Sequence, residues 1–137
     1  MSLRFLLCAA AIVASSSASA TYSSSLDSDG CWDGKLSANV PCLQIKSHSW
    51  SGDKISVVYE NKCPQRIFAR ACHSQEQGDN GKADCGFFAV RGSGTAVYYT
   101  YHATGDVEYR AVGSTKRSND WTCVAQRDLV NNVRKVR

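Results

Sequence analysis

Six cysteines follow position 20 of this chain: Cys31, Cys42, Cys63, Cys72, Cys85 and Cys123. An even number of cysteines in an exported chain points to three disulfides, because that compartment is oxidising. Three bridges constrain a small domain strongly, each by about 2–4 kcal/mol through the unfolded ensemble. Six cysteines allow fifteen pairings in principle. Locality favours Cys31–Cys42 around a short Pro-containing loop and Cys72–Cys85 around a polar loop. Cys63–Cys123 would then tie the last strand to the middle of a sheet. No Cys-x-x-Cys pair is present to argue for zinc instead.

Export itself is expected from the first twenty residues. "MSLR" supplies a basic start, "FLLCAAAIVA" an apolar run too short for a bilayer, and "SASA" the small residues of a cleavage site. Cleavage is expected after Ala20, removing the seventh cysteine, Cys8. Residues 1–20 thus read as a signal peptide and 21–30, "TYSSSLDSDG", as a flexible leader. A single disulfide-stabilised domain is expected over 31–127 and a basic tail over 128–137. No later segment is apolar enough to cross a membrane, so the mature protein is expected to be secreted or periplasmic.

Between Cys42 and Gln126 the chain alternates short apolar runs with Gly, Asn, Asp and Ser. "CLQIKSH", "KISVVYE", "RIFARACH" and "CGFFAVRG" read as strands, as does "WTCVAQ" near the end. "KISVVYE" places Ile55, Val57 and Tyr59 on one face, and "RIFARACH" does the same for Ile67, Ala69 and Ala71. "LVNNVRKVR" lacks a stable amphipathic length. About seven short strands without a convincing helix predict an all-β domain, a small antiparallel β-sandwich or barrel.

"YYTYHATGDVEYRAV", residues 98–112, reads as a hairpin. A three-residue loop, Thr104-Gly105-Asp106, would place Tyr99, Tyr101, Ala103, Val107, Tyr109 and Ala111 on the buried face. The other face would then carry Tyr98, Thr100, His102, Glu108, Arg110 and Val112. His102 would stand opposite Glu108. Such a His–Glu–Arg set could serve acid/base chemistry on a phosphodiester, as in a small secreted ribonuclease. Opposite charges across a sheet are also ordinary decoration of a wet face.

The remaining signals favour binding over catalysis. No nucleophile elbow or phosphate loop is present. Asp79, Asn80 and Asp84 in "GDNGKAD" lack the spacing of a calcium loop. His48 and His73 have no metal-like spacing to another ligand. No cofactor is expected. Trp32, Trp50 and Tyr98, with His102 and Arg110, are the candidate binding residues, since exposed Trp and Tyr bury much area for few rotors. The net charge of +4 lies in the ends: residues 21–126 hold eleven basic and eleven acidic side chains. That balance disfavours nucleic acid as a partner. The expected function is an exported, non-enzymatic binding protein, of inhibitor or immunity type, that engages a protein or glycan. The alternatives are the hydrolase above and a secreted effector or toxin acting through its basic tail.

Overall fold

The computed structural model describes residues 26–37, 40–76, 83–127 and 130–137. The segments expected to be a signal peptide (1–20) and most of the expected leader (21–30) lie outside them. Seven strands of six residues or more carry the fold: β4 Leu43–Ser51, β5 Lys54–Asn61, β6 Ile67–Gln75, β7 Ala83–Val90, β8 Thr95–Thr100, β9 Ala103–Ser114 and β10 Val130–Lys135. Three shorter pieces precede them: β1 Cys31–Trp32, β2 Lys35–Ser37 and β3 Val40–Pro41. The expected all-β architecture with three disulfides is the one observed.

Two antiparallel sheets face each other. The larger has the order β1-β9-β6-β7, with β10 also paired to β9. The smaller has the order β4-β5-β8, and β2 and β3 form a separate small ladder. Strand alternation builds the core between the sheets. Ile55, Val57 and Tyr59 from β5 meet Ile67, Ala69 and Ala71 from β6 and Val107, Tyr109 and Ala111 from β9. Gly52, at positive φ, opens the two-residue turn between β4 and β5, where Ser51 pairs with Lys54.

The expected 98–112 hairpin is not formed. β8 pairs with β5 in the smaller sheet, whereas β9 pairs with β6 in the larger. The chain changes sheets at Tyr101–His102, where His102 has φ 55°. This corner is fastened from both sides. The Ala103 amide donates to the Asp53 carbonyl, and the Glu76 amide donates to the His102 carbonyl. Thr104, Gly105 and Asp106 lie within β9 rather than in a loop. Gly105 is needed there because the Val136 backbone crosses it, and a Cβ would overlap the Val136 carbonyl oxygen.

The expected strand "WTCVAQ" is a helix, α1 Asp120–Gln126, preceded by a 3-10 turn at Arg117–Asn119. Asp120 and Cys123 lie one turn apart, so both reach the outer face of the larger sheet. Asp120 pairs bidentately with Arg66 at 2.6 and 2.7 Å, and Cys123 bonds to Cys31. Trp121, beside them, packs edge-on against Phe68 and rests on Phe87.

Only one expected disulfide pairing is observed, Cys72–Cys85. The others are Cys31–Cys123 and Cys42–Cys63, in place of Cys31–Cys42 and Cys63–Cys123. Cys42 and Cys63 flank the Leu43–Asn61 pair that opens the β4–β5 ladder, which brings residues 21 apart in sequence together. Cys31, in β1, lies against α1 instead.

Neither expected end is loose where it is described. Asp27 accepts from the Cys31 amide at 2.9 Å, and Arg127 donates to Asp27, Asp33 and the Cys31 carbonyl. The basic tail contributes β10. It completes one side of β9, and the Arg137 carbonyl accepts from His48 Nε2 at 2.8 Å.

Candidate functional site

The register of β8 decides what the protein shows to solvent. Ala96, Tyr98 and Thr100 pair with Tyr59, Val57 and Ile55, the inward row of β5. They therefore face the core. Val97 and Tyr99 pair with Val58 and Ser56 and face outward. The outward row thus carries Thr95, Val97 and Tyr99, and Tyr101 follows just past the strand end, with Val97 61% exposed and Tyr99 and Tyr101 each 55% exposed.

The inward row is held by polar contacts. Tyr98 donates to Asp84 Oδ1 at 2.9 Å, and Thr100 donates to Asp84 Oδ2 at 2.7 Å. Thr100 Oγ1 also lies 3.1 Å from Nδ1 of His73, whose Nε2 is 2.8 Å from the Tyr59 hydroxyl. One hydrogen arrangement satisfies every atom. Tyr59 donates to Nε2, Nδ1–H donates to Thr100, and Thr100 and Tyr98 donate to the carboxylate. His73 is thus neutral. Burial pushes its pKa down to about 4, against the opposing pull of Asp84. Burial also raises the Tyr59 phenol, and partial burial followed by the Asp84 contact pushes Tyr98 up to about 12. Gly86 makes room for this arrangement, since the Tyr98 ring lies over it where a Cβ would clash. His73, Tyr59 and Thr100 are wholly enclosed. This hydrogen-bond chain clasps the two sheets together.

The outward row builds a different surface. The Tyr99 and Tyr101 rings meet edge to face, with centroids 6.0 Å apart and planes at 87°. Lys54 Nζ stands 5.0 Å from one ring centroid and 5.6 Å from the other. Ser56 and Val58 on β5 continue the face, followed by Ser49 and Ser47 on β4. At one end His102 Nδ1 meets the Asp53 carboxylate.

The structure separates the residues expected to form a site. Trp32 is buried in the core, in the space left by Gly113 opposite it, so it is no surface contact. Tyr98 faces inward. Trp50 is partly exposed at the β4 edge, opposite Ile55 and off the tyrosine face. His102 belongs to the corner beside Tyr101. Glu108 and Arg110 lie on the larger sheet, opposite Cys72 and Arg70. Glu108 lies six residues after His102 in the chain, about 20 Å of strand. The His–Glu–Arg face, which depended on the hairpin, is therefore not assembled. Asp79 and Asn80 lie outside the described residues. Among the described residues no three His, Cys, Asp or Glu side chains are grouped to hold a metal ion, and no helix is long and apolar enough to span a membrane.

Sequence periodicity could have placed His73 inside, because it shares a face with Ile67, Ala69 and Ala71. Nothing local could have distinguished Tyr99 from Tyr98. Comparison with protein-family models, curated proteins and solved structures found no match to this chain.

Proposed function

We propose that this chain is an exported binding protein, of inhibitor or immunity type, that docks a protein partner on the face formed by Val97, Tyr99, Tyr101, Val58 and Lys54. The observation that carries this reading is the exposure of three large side chains side by side, Val97 and Tyr99 on β8 and Tyr101 just past its end. A sheet face that meets only water ordinarily displays polar side chains. Here Val97, Tyr99 and Tyr101 stand largely exposed among Thr95, Ser56 and Ser49, while Thr100 and the Tyr98 hydroxyl are turned inward. Tyrosine and serine on a rigid sheet bury contact area at low entropic cost. The Cys42–Cys63 bridge fixes the β4–β5 end of that sheet.

A protein partner suits the face better than a glycan. A sugar ring stacks on one flat aromatic platform, whereas these two rings stand nearly perpendicular and are flanked by valines. The poised Lys54 ammonium favours a carboxylate at the partner's edge. Three disulfides and the basic, apolar N-terminal segment support export. The hydrolase reading loses its support with the separation of His102 from Glu108.

The test is capture from the exported fraction of the source organism on immobilised oxidised protein. A Val97→Ser/Tyr99→Ser/Tyr101→Ser variant with an unchanged thermal midpoint serves as the control. A stoichiometric protein held by the wild type and weakened at least about tenfold by the variant is expected. Equal retention by both would overturn the assigned face. Capture that a free glycan abolishes would overturn the choice of partner class.

A further inference from the structure

The three disulfides stand in different surroundings. Cys31, Cys123 and Cys42 are fully enclosed and Cys63 is 2% exposed. Cys72 and Cys85 are opposite one another in the β6–β7 pairing, on the outer face of the larger sheet. There Cys85 is exposed and Cys72 partly so. Neighbouring positions on both strands define the ground around the bond. Arg70 precedes Cys72 on that face and lies opposite Phe87. Its Nη2 is 3.5 Å from Cys85 Sγ, and its guanidinium lies over the Phe87 ring, 5.7 Å from the centroid. Glu108 lies opposite Cys72 on the β9 side. The bond therefore has an open end at Cys85, contacted by the Arg70 guanidinium, and a more covered end at Cys72, with Glu108 across from it and Arg110 across from Arg70.

We infer that Cys72–Cys85 is a thiol–disulfide exchange site that accepts a thiolate of the glutathione class at Cys85 Sγ, with Arg70 as the positioning residue. Access and local charge decide which disulfide exchanges, because the attacking species is an anion that must reach a sulfur. Arg70 draws that anion to Cys85, and Glu108 disfavours the other end. The incoming thiolate forms a bond to Cys85 Sγ as the Cys72–Cys85 bond breaks. The displaced electron pair leaves on Cys72 Sγ, which takes a proton from water. A second thiolate then attacks the mixed disulfide at its non-protein sulfur, and Cys85 departs as a thiolate beside Arg70. Two small thiols are oxidised to their disulfide, and one protein disulfide becomes two thiols. The ladder hydrogen bonds of β6 with β7 and β9 do not depend on the bond, so exchange can proceed in the folded protein.

The experiment is incubation of the folded, oxidised protein with graded reduced glutathione, followed by alkylation and peptide mass spectrometry. A glutathione adduct on Cys85 is expected first, then alkylation of Cys72 and Cys85, with the other two disulfides intact and the far-ultraviolet dichroism unchanged. Arg70→Gln should slow adduct formation about three- to tenfold, and Arg70→Lys should largely restore it. Raising the salt concentration should slow the wild type and leave Arg70→Gln little affected. Simultaneous opening of all three disulfides, or labelling of Cys31, Cys42, Cys63 or Cys123 before this pair, would overturn the assignment. An adduct on Cys72, or an Arg70→Gln rate equal to wild type, would overturn the direction of attack and the role of Arg70.

Discussion

The Tyr59 hydroxyl, on the smaller sheet, stands 2.8 Å from Nε2 of His73, on the larger sheet, with both residues wholly enclosed. That contact starts a hydrogen-bond chain which continues through Thr100 to Asp84 and crosses between the sheets three times. A fully satisfied polar chain in a small core gives the two sheets one preferred register, and loss of any member leaves a buried group unpaired.

Acid should act on this chain through His73. The folded ring binds a proton only near pH 4, while an unfolded histidine does so near 6.5. Between those values the unfolded state binds more protons, so stability rises with pH across the window. The contribution is therefore present above about 6.5 and is lost as pH falls toward 4. Its slope is at most about 1.4 kcal/mol per pH unit. Urea unfolding across the window should show this slope in the wild type and a flatter one in His73→Gln. Equal slopes would place the proton uptake elsewhere.

Tyr59→Phe removes one donor and should cost about 1–2 kcal/mol by leaving Nε2 unpaired in the core. Thr100→Val should cost a similar amount or more, since it strands both Nδ1–H and Asp84 Oδ2. The two sites act on one imidazole, so their effects should couple by about 0.5 kcal/mol or more in a double-mutant cycle. Simple additivity would mean that the chain does not act as a unit.

Tyr98 and Tyr99 are adjacent and should respond oppositely. Tyr98→Ser removes a ring packed over Gly86 and stacked near Phe88, together with a hydrogen bond to Asp84. It should cost about 2–3 kcal/mol. Tyr99→Ser touches an exposed ring and should change stability by less than about 0.5 kcal/mol. Chemical denaturation of the two variants reads the register of β8 directly, and the reverse ranking would refute the outward tyrosine face.

Gly113→Ala places a methyl group where the Trp32 indole already sits. Trp32 is enclosed between β1 and the core and has little room to yield. A destabilisation of about 1–3 kcal/mol is expected, with a shifted Trp emission spectrum as the local readout. A variant of wild-type stability would mean that the indole is free to move.

The cysteines, the strand alternation and the turn residues act over a few residues, and they were legible in the chain. Cysteine parity and the apolar faces of "KISVVYE" and "RIFARACH" determined an all-β domain with three bridges, and the core they imply is the one observed. Tertiary structure decided the rest. "WTCVAQ" is too short for its apolar spacing to separate strand from helix, and its helix is set by two residues distant in sequence, Cys31 on β1 and Arg66 just before β6. Both rows of β8 are compatible with burial taken alone. The choice fell to the row whose hydroxyls meet Asp84 and His73, groups supplied by β7 and β6. Once Thr100 and Tyr98 turned inward, Val97, Tyr99 and Tyr101 were left on the outside. The sheet change at His102 then divided an apparent hairpin between two sheets, because β9 gains β6 and β10 as neighbours where β8 could offer it only one. Local pattern specifies which side chains share a face. Only packing against the other sheet decides which face is covered.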